Sequence, residues 1–373
     1  MTNILCFFQS HPYFSIFISF FTGLFFMPLI IKIAKKNNFV VKPNKRTSHE
    51  GEIPNVGGLN IFISFFLTTF LFCFTLFSEL QFILLGVFII LIIGFVDDLI
   101  DLKVSWKLAG EFLSAFFLIV FAGIRITHLH HFLGIDVLPE LTIGAFSVPV
   151  YSYLLSFFVF IVLINALNLI DGVDGLASGL GIIYCLFFGV YFMLIGNNNL
   201  SITSFAMVGS LTVFFIYNVF SKKNKIFMGD SGSLLLGYMI TLYVFEFCER
   251  NAYHQVEPRY LIPAAPAFAA CVLAVPLFDT LRVMLTRIKK GVSPFHPDRN
   301  HIHHLLLKIG LKHKEVSFLL MGVSLLYIGL ALVGRNWRIE VLTGVAFILA
   351  LVLTYILWQI VDRVEQKNKK TDV

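Results

Sequence analysis

Asn165, Asn168, Asp171 and Asp174 place four oxygen-bearing side chains within ten residues, each three positions from the last. Residues three apart share a helix face, so Asn165, Asn168 and Asp171 predict one polar stripe. Asp171-Gly172 and Asp174-Gly175 then predict a turn, because glycine adopts backbone angles that other residues resist. A run that is apolar except for Ser156, Leu154 to Ile164, leads into the stripe. A helix cap needs one Asn or Asp, not four in register. The chemistry of such a set is the binding of a hard metal ion or a hydroxyl.

Three further motifs carry similar chemistry. Gly94-Phe-Val-Asp97-Asp98-Leu-Ile-Asp101 ends an apolar run in adjacent carboxylates, and Lys107 follows six residues after Asp101. A charge near hydrocarbon costs about 2.5–3.5 kcal/mol, so the acid pair implies a partner, a metal or a proton to move. Lys107 is suited to phosphate oxygens. Phe227-Met-Gly229-Asp230-Ser231-Gly232-Ser233 is compact, and its amides could approach an anion at a helix N-terminus. Beside the other acids, Asp230 reads as a hard-metal ligand. Pro294-Phe-His296-Pro-Asp298-Arg299-Asn-His301-Ile-His303-His304 has no HExxH pattern and no nearby cysteine. Oxygen ligands elsewhere favour Mg²⁺ or Mn²⁺ over Zn²⁺, so these imidazoles and Arg299 read as phosphate or sugar contacts. Pro43-Asn-Lys45-Arg46-Thr-Ser-His49, followed by Ile53-Pro-Asn-Val-Gly57-Gly58, is basic. Arg46 there reads as a substrate contact or as a membrane anchor.

The elements that position these motifs are membrane spans. The chain is 58% hydrophobic and only 13% charged, with a mean hydropathy of +0.86. That composition excludes a soluble domain. A span needs roughly 20 apolar residues. Eleven candidates result: Tyr13–Ile33, Val56–Phe77, Leu80–Val96, Trp106–Ala122, Val148–Asn168, Leu176–Ile195, Ile202–Phe220, Ser233–Phe247, Leu261–Leu285, Val316–Val333 and Val341–Val361. The fold class is all-α and polytopic, one transmembrane domain over residues 1–373, with 362–373 as a cytoplasmic tail. No basic residue precedes the first apolar run, so that run reads as an uncleaved span. Five cysteines, none at CxxC spacing, sit in or beside apolar runs and read as small buried hydrophobes.

Lys and Arg set the orientation. Alternate connections hold Lys35 to Arg46, Lys103 and Lys107, Lys222 to Lys225, Arg287 to Lys314, and the C-terminal lysines; the opposite side has only Arg125, Arg250, Arg259, Arg335 and Arg338. The N-terminus is therefore expected outside and the C-terminus in the cytoplasm. The net charge of +6 follows from this topology and needs no nucleic-acid partner. Every chemical motif then falls on the cytoplasmic face. His128, His130 and His131 fall outside and read as surface residues. Acids for a divalent ion and cations for phosphate, at a lipid surface, suit phosphoryl transfer to a lipid. An ion-coupled transporter fits less well, since its acids would lie near the midplane of repeated halves and no repeat is seen.

With these four motifs in order, the chain resembles the polyprenyl-phosphate N-acetylhexosamine-1-phosphate transferases (glycosyltransferase family 4) over almost its whole length. Within that family it is most similar to the branch acting with GlcNAc 1-phosphate. The resemblance implies transfer from a UDP-N-acetylhexosamine to undecaprenyl phosphate, giving undecaprenyl-diphosphate-sugar and UMP. It also implies Mg²⁺ or Mn²⁺, the bacterial cytoplasmic membrane, and a first membrane step of a cell-surface glycan; it is compatible with a homodimer. It implies that Asn168 and Asp230 hold the metal, and that Lys107 contacts the diphosphate. It places Asp174 and Phe227 near the uracil, and Asp97 and Asp98 beside the lipid phosphate. Arg299, His301, His303 and His304 would read the sugar. Asp171 joins Asp97, Asp98 and Lys107 in the catalytic set, with Asp98 orienting or deprotonating the acceptor. The phospho-MurNAc-pentapeptide branch is the alternative; Asp101 and the run His301-Ile-His303-His304 argue against it. The orientation has a direct test: a cysteine at Lys223 should react with an impermeant reagent only from the cytoplasmic side, and one at Asn198 only from outside.

Overall fold

A computed structural model describes residues 7–41, 53–73, 79–143, 146–253, 256–293 and 300–371. The chain is a bundle of helices. In order they are α1 (Phe14–Lys36), α2 (Gly57–Cys73), α3 (Leu80–Ile100), α4 (Val104–Phe116), α5 (Val150–Leu169), α6 (Leu176–Leu194) and α7 (Asn198–Val219). Then come α8 (Gly229–Ala252), α9 (Ala265–Val272), α10 (Ala274–Lys289), α11 (Ile302–Lys308), α12 (His313–Val333) and α13 (Ile339–Thr371). A π-helical turn, Phe117–Phe121, extends α4 to span length. Among the described residues, nine helices are long and apolar enough to cross a membrane. The protein is a multi-pass membrane protein.

Each of the eleven expected spans falls on a helix, with two departures from a simple crossing. The second span is the 17-residue α2. The ninth, expected as Leu261–Leu285, is broken: α9 and α10 meet at 84°. Pro276 accounts for the break. Its ring cannot donate to the carbonyl of Val272 four residues back and clashes with it, and Val272 is the last residue of α9. Within the expected tail at 362–373, α13 continues as helix to Thr371. Its 33 residues rise about 50 Å at about 1.5 Å each, well beyond a hydrocarbon core of about 30 Å. Lys308 of α11 pairs with Glu365 near its end.

Three two-stranded antiparallel hairpins complete the described fold: β1 (Val40–Val41) with β2 (Ile53–Pro54), β3 (His128–Phe132) with β4 (Ile135–Val137), and β5 (Leu141–Ile143) with β6 (Phe146–Val148). The expectation that His128, His130 and His131 lie on the surface holds for His131 alone. His128 and His130 are buried. The ring nitrogens of His130 lie 3.1 Å from the Pro263 carbonyl and 3.0 Å from the Cys248 carbonyl, so this hairpin docks on the far end of α8.

The bundle is built around α8. Nearly all of it is buried, while α13 leaves most of its surface to lipid. Helices α2, α3, α5, α6, α7 and α9 all pack on α8. Its first turn is approached closely from two sides. A Cβ on Gly94 of α3 would lie 2.5 Å from backbone atoms of Ser231, and one on Gly58 would lie 2.3 Å from the Gly232 nitrogen. The amides of Gly57 and Gly58 donate to the carbonyls of Phe227 and Met228, each at 2.9 Å, and the Phe227 amide donates to Pro54 at 2.9 Å. The segment after β2 is thus strapped to the loop before α8. Gly94→Ala should push α3 away from this turn and cost about 1–3 kcal/mol, read as a lower melting temperature in detergent. Gly322→Ala, where nothing lies within 4 Å of the new Cβ, should leave the melting temperature unchanged.

Candidate active site

The first turn of α8 leaves backbone N–H groups without helical acceptors. Its N-cap, Met228, offers no side-chain acceptor. The acceptor comes from α3. Asp98 takes the Asp230 amide on Oδ1 at 2.8 Å and the Ser231 amide on Oδ2 at 3.2 Å. Asn55 Nδ2 adds a third donor to Asp98 Oδ1 at 2.9 Å. The positive end of the α8 dipole favours this carboxylate. Gly229, at φ +70°, allows the approach, since a Cβ there would meet Asp98 Oδ2 at 2.5 Å.

Asp230 leaves this turn held at both oxygens. Asn168 Nδ2 donates to Oδ1 at 2.8 Å, and Lys107 Nζ reaches Oδ2 at 2.6 Å. Asn168 Nδ2 also donates to Ser233 Oγ at 2.8 Å. Lys107 is shared with Asp97 Oδ2 at 3.0 Å. The other Asp97 oxygen accepts the Leu102 amide at 2.7 Å, and Asp101 ends α3 with a left-handed φ of 52°. The stripe expected on α5 therefore delivers Asn168 to α8, while Asp171 lies on the turn beyond.

That turn is tied down from two helices, α7 and α12, and from the loop before α8. The Gly175 amide donates to Asn218 Oδ1 at 2.6 Å. Ser317 Oγ donates to the Asp174 carbonyl at 2.7 Å. Lys225 Nζ meets Asp174 Oδ2 at 2.6 Å, and His313 Nδ1 lies 3.4 Å from the same oxygen. Burial works against the charge of Asp174, but hydrogen bonds and charge from His313 and Lys225 prevail and hold its carboxyl below the usual range. Asp171 has no such help. Among the described residues its carboxylate has no hydrogen-bond partner. Loss of solvent, then the like charges of Asp230, Asp98 and Asp174, push its carboxyl well above the usual range.

These groups line one cleft of about 990 Å³. Asp98, Asn168, Asp171, Asp174 and Asp230 form its acidic wall, with Phe227 beside them. Lys222, Lys225, Lys312, His313 and Lys314 line the cleft too. Lys107 and Asp97 stand behind Asp230 and do not line the cleft. Lys225 Nζ lies 5.6 Å over the Phe227 ring. A concave site lined by both carboxylates and cations can bind a cation and a diphosphate together.

The histidine run lies elsewhere. His301 and His303 are buried, and none of His301, His303 and His304 lines the cleft. His301 Nδ1 lies 2.9 Å from Asp279 Oδ2, whose partner oxygen accepts the Ile302 amide at 2.9 Å. Arg282 completes this cap of α11 at 2.7 Å from Asp279. His303 packs against the acidic turn: a Cβ on Gly172 would meet its Nε2 at 2.3 Å. Burial, then the neighbouring His304, hold the His303 imidazole down to about 3, so it is neutral at physiological pH. Arg46 and Arg299 lie outside the described residues.

Several residues here carried no chemical signal in the sequence. Asp279 sat inside an expected apolar span. Lys222, Lys225, Lys312 and Lys314 were counted only as markers of orientation. Asn55 lies within the stretch that follows Pro43 without a role assigned to it there, and His313 stands in no motif used for the site.

Residues 80–247 match glycosyl transferase family 4. The chain is similar to the undecaprenyl-phosphate alpha-N-acetylglucosaminyl 1-phosphate transferase of Escherichia coli K12, at 30% identity over 345 residues covering 88% of this chain and 87% of that one. The protein of the same name from Yersinia pestis is 30% identical over 344 residues, 88% of both chains. That from Pasteurella multocida is 32% identical over 333 residues, 86% of this chain and 85% of its own. This chain is a polytopic membrane protein, and it belongs to glycosyl transferase family 4.

The geometry separates two roles for Asp98. As a cap of α8 it contributes to stability; as a base alone it would not. Asp98→Asn should therefore lower the melting temperature, by the equivalent of about 1–2 kcal/mol, along with activity. An unchanged melting temperature with activity lost would return Asp98 to the role of a base.

Proposed function

We propose that the protein transfers N-acetylglucosamine 1-phosphate from UDP-GlcNAc to undecaprenyl phosphate at the cytoplasmic face of a bacterial inner membrane. The observation that carries this reading is Asp230, fixed between Lys107 and Asn168 in a cleft that lysines also line. The names of the relatives supply the acceptor and the transferred group; UDP-GlcNAc as the donor is part of the proposal. An oxygen of the lipid phosphate attacks the phosphorus that bears the sugar. The bond from that phosphorus to the bridging oxygen breaks, and UMP leaves with the electron pair. One anhydride replaces another, so the reaction is readily reversible.

The acceptor needs no base. A phosphate monoester loses its second proton near pH 6 and is largely dianionic at neutral pH. All Asp98 has to do is hold the turn that presents Asp230. Lys225, Lys312 and Lys314 offset the charge of the diphosphate as it enters. Phe227 and Asp174 offer a ring face and a carboxylate to the uracil.

The donor set suits a hard divalent ion. Asp171 is a carboxylate without a partner among like charges, and Asn168 donates from Nδ2, leaving its oxygen for a cation. Among the described residues no group of three or more His, Cys, Asp or Glu forms a cage. That fits Mg²⁺, which keeps waters and takes substrate phosphates beside one or two carboxylates. Asp230, Asp171 and Asn168 would hold Mg²⁺ or Mn²⁺, which when bound neutralises charge on the diphosphate oxygens.

Membranes carrying the protein, given labelled UDP-GlcNAc, undecaprenyl phosphate and Mg²⁺, should release label into the lipid extract. UDP-MurNAc-pentapeptide should give none. Asp230→Asn should raise the Mg²⁺ needed for half-maximal rate by about tenfold or more, with partial recovery at high Mg²⁺. Failure to label lipid from UDP-GlcNAc, in membranes where the protein is folded, would sink this reading.

A further inference from the structure

Glu111 belongs to no motif, and it is completely buried on α4. Its Oε2 accepts Asn165 Nδ2 at 2.6 Å, while Oε1 is buried with no partner. A buried carboxylate with an unmet oxygen is costly, so its place calls for a compensating use. Glu111 stands four residues after Lys107, on the same face of α4. Asn165 stands three before Asn168, on the same face of α5. Lys107 and Asn168 in turn take the two different oxygens of Asp230, at 2.6 Å and 2.8 Å. The five residues close a figure: along α4 from Lys107 to Glu111, across to Asn165, along α5 to Asn168, and back through Asp230.

The rest of the described α4–α5 contact is largely apolar, as in the stacked rings of Phe112 and Phe157 at 5.9 Å. Apolar surfaces in lipid set sliding register weakly, because lipid tails are as apolar as the side chains. One residue of slip moves a helix by about 1.5 Å. That is enough to break either contact to Asp230.

We propose that Glu111 is a positioning residue: its bond to Asn165 sets the register of α4 on α5 that holds Lys107 and Asn168 on opposite oxygens of Asp230. Its link to catalysis rests on the transfer reaction proposed above; the register itself does not.

The test uses the full-length protein in membranes. Glu111→Leu alone leaves one hydrogen of the Asn165 amide unmet, the other staying on the Ile161 carbonyl at 2.9 Å, so the informative variant is Glu111→Leu with Asn165→Leu, where both partners become apolar and stability should return. Three quantities are read: melting temperature, acylation of Lys107 by acetic anhydride followed by mass spectrometry, and kcat/KM for UDP-GlcNAc. The double variant should melt near the wild type. Its Lys107 should nevertheless label severalfold faster, and kcat/KM should fall about tenfold or more, since a misplacement of about 1 Å can cost about 10²-fold. Glu111→Gln keeps an acceptor for Asn165 and should stay near the wild type in all three. A double variant with wild-type melting and wild-type Lys107 labelling overturns the proposal. So does Glu111→Gln labelling as fast as Glu111→Leu, which would assign the effect to charge. Lys107 labelling needs no turnover, so absence of wild-type activity would count against the transfer reaction and not against the register.

Discussion

The site depends on one contact, the carboxylate of Asp98 against the open N-terminus of α8. The first amides of a helix have no acceptor within the helix itself. The chain supplies no cap at Met228, so α3 must deliver one. Delivery requires near contact of backbones, which Gly58, Gly94 and Gly229 permit. Once Asp98 is seated, the next side chain of the turn is Asp230. The orientation of the Asp230 carboxylate is therefore tied to a bond made by the same residue's amide. Any loosening of α3 on α8 is transmitted to Asp230 without an intermediate step.

A second constraint is charge. Asp97, Asp98, Asp171, Asp174 and Asp230 gather within one end of the bundle, with Lys107 and Lys225 as their direct partners. Asp97 and Asp174 are answered by cations, and Asp98 by amides. Asp230 is answered by both a cation and an amide nitrogen. Asp171 is left over. An arrangement that pairs four acids and leaves the fifth facing a cleft is poor for stability, and such sites are where function is usually found. The imbalance is tolerable because it sits at the end of the spans, where water reaches the cleft.

The sequence made much of this legible because polar residues stand out against apolar runs. Asp97-Asp98, the Asn165 to Asp174 stripe and the Gly-Asp-Ser-Gly turn were visible for that reason, and the structure brings all three to the first turn of α8. What stayed hidden were choices of partner. Nothing local in Gly94-Phe-Val-Asp97-Asp98 says that the second acid caps a helix more than a hundred residues later. Glu111 and Asp279 were single acids diluted by long apolar windows. Lysines beside a membrane have an explanation in orientation already, which concealed the cleft lining formed by Lys225, Lys312 and Lys314. The break at Pro276 was readable, since proline within a helix removes a bond and adds a clash; a window long enough to find spans averages over it. His128 and His130 were misplaced because a histidine's hydrogen bonds to distant carbonyls leave no trace in its neighbours.

The turn that bears Asp171 shows how far the surroundings constrain what they do not touch. Gly172 lies under the neutral ring of His303, Asp174 is held by Lys225, His313 and Ser317, and Gly175 is held by Asn218. The fixings come from α7, α11, α12 and the loop before α8. The Asp171 carboxylate receives none among the described residues, yet its backbone has little freedom left, its amide donating to the Asn168 carbonyl at 3.2 Å. This is the arrangement expected of a preorganised ligand, oriented before its partner arrives so that binding costs no reordering. It also gives the histidine run a role that needs no contact with substrate. Asp279 fixes His301 and the start of α11, α11 presents His303, and His303 bears on Gly172. A change at Asp279 would thus reach Asp171 through packed groups, each of which has one place to go.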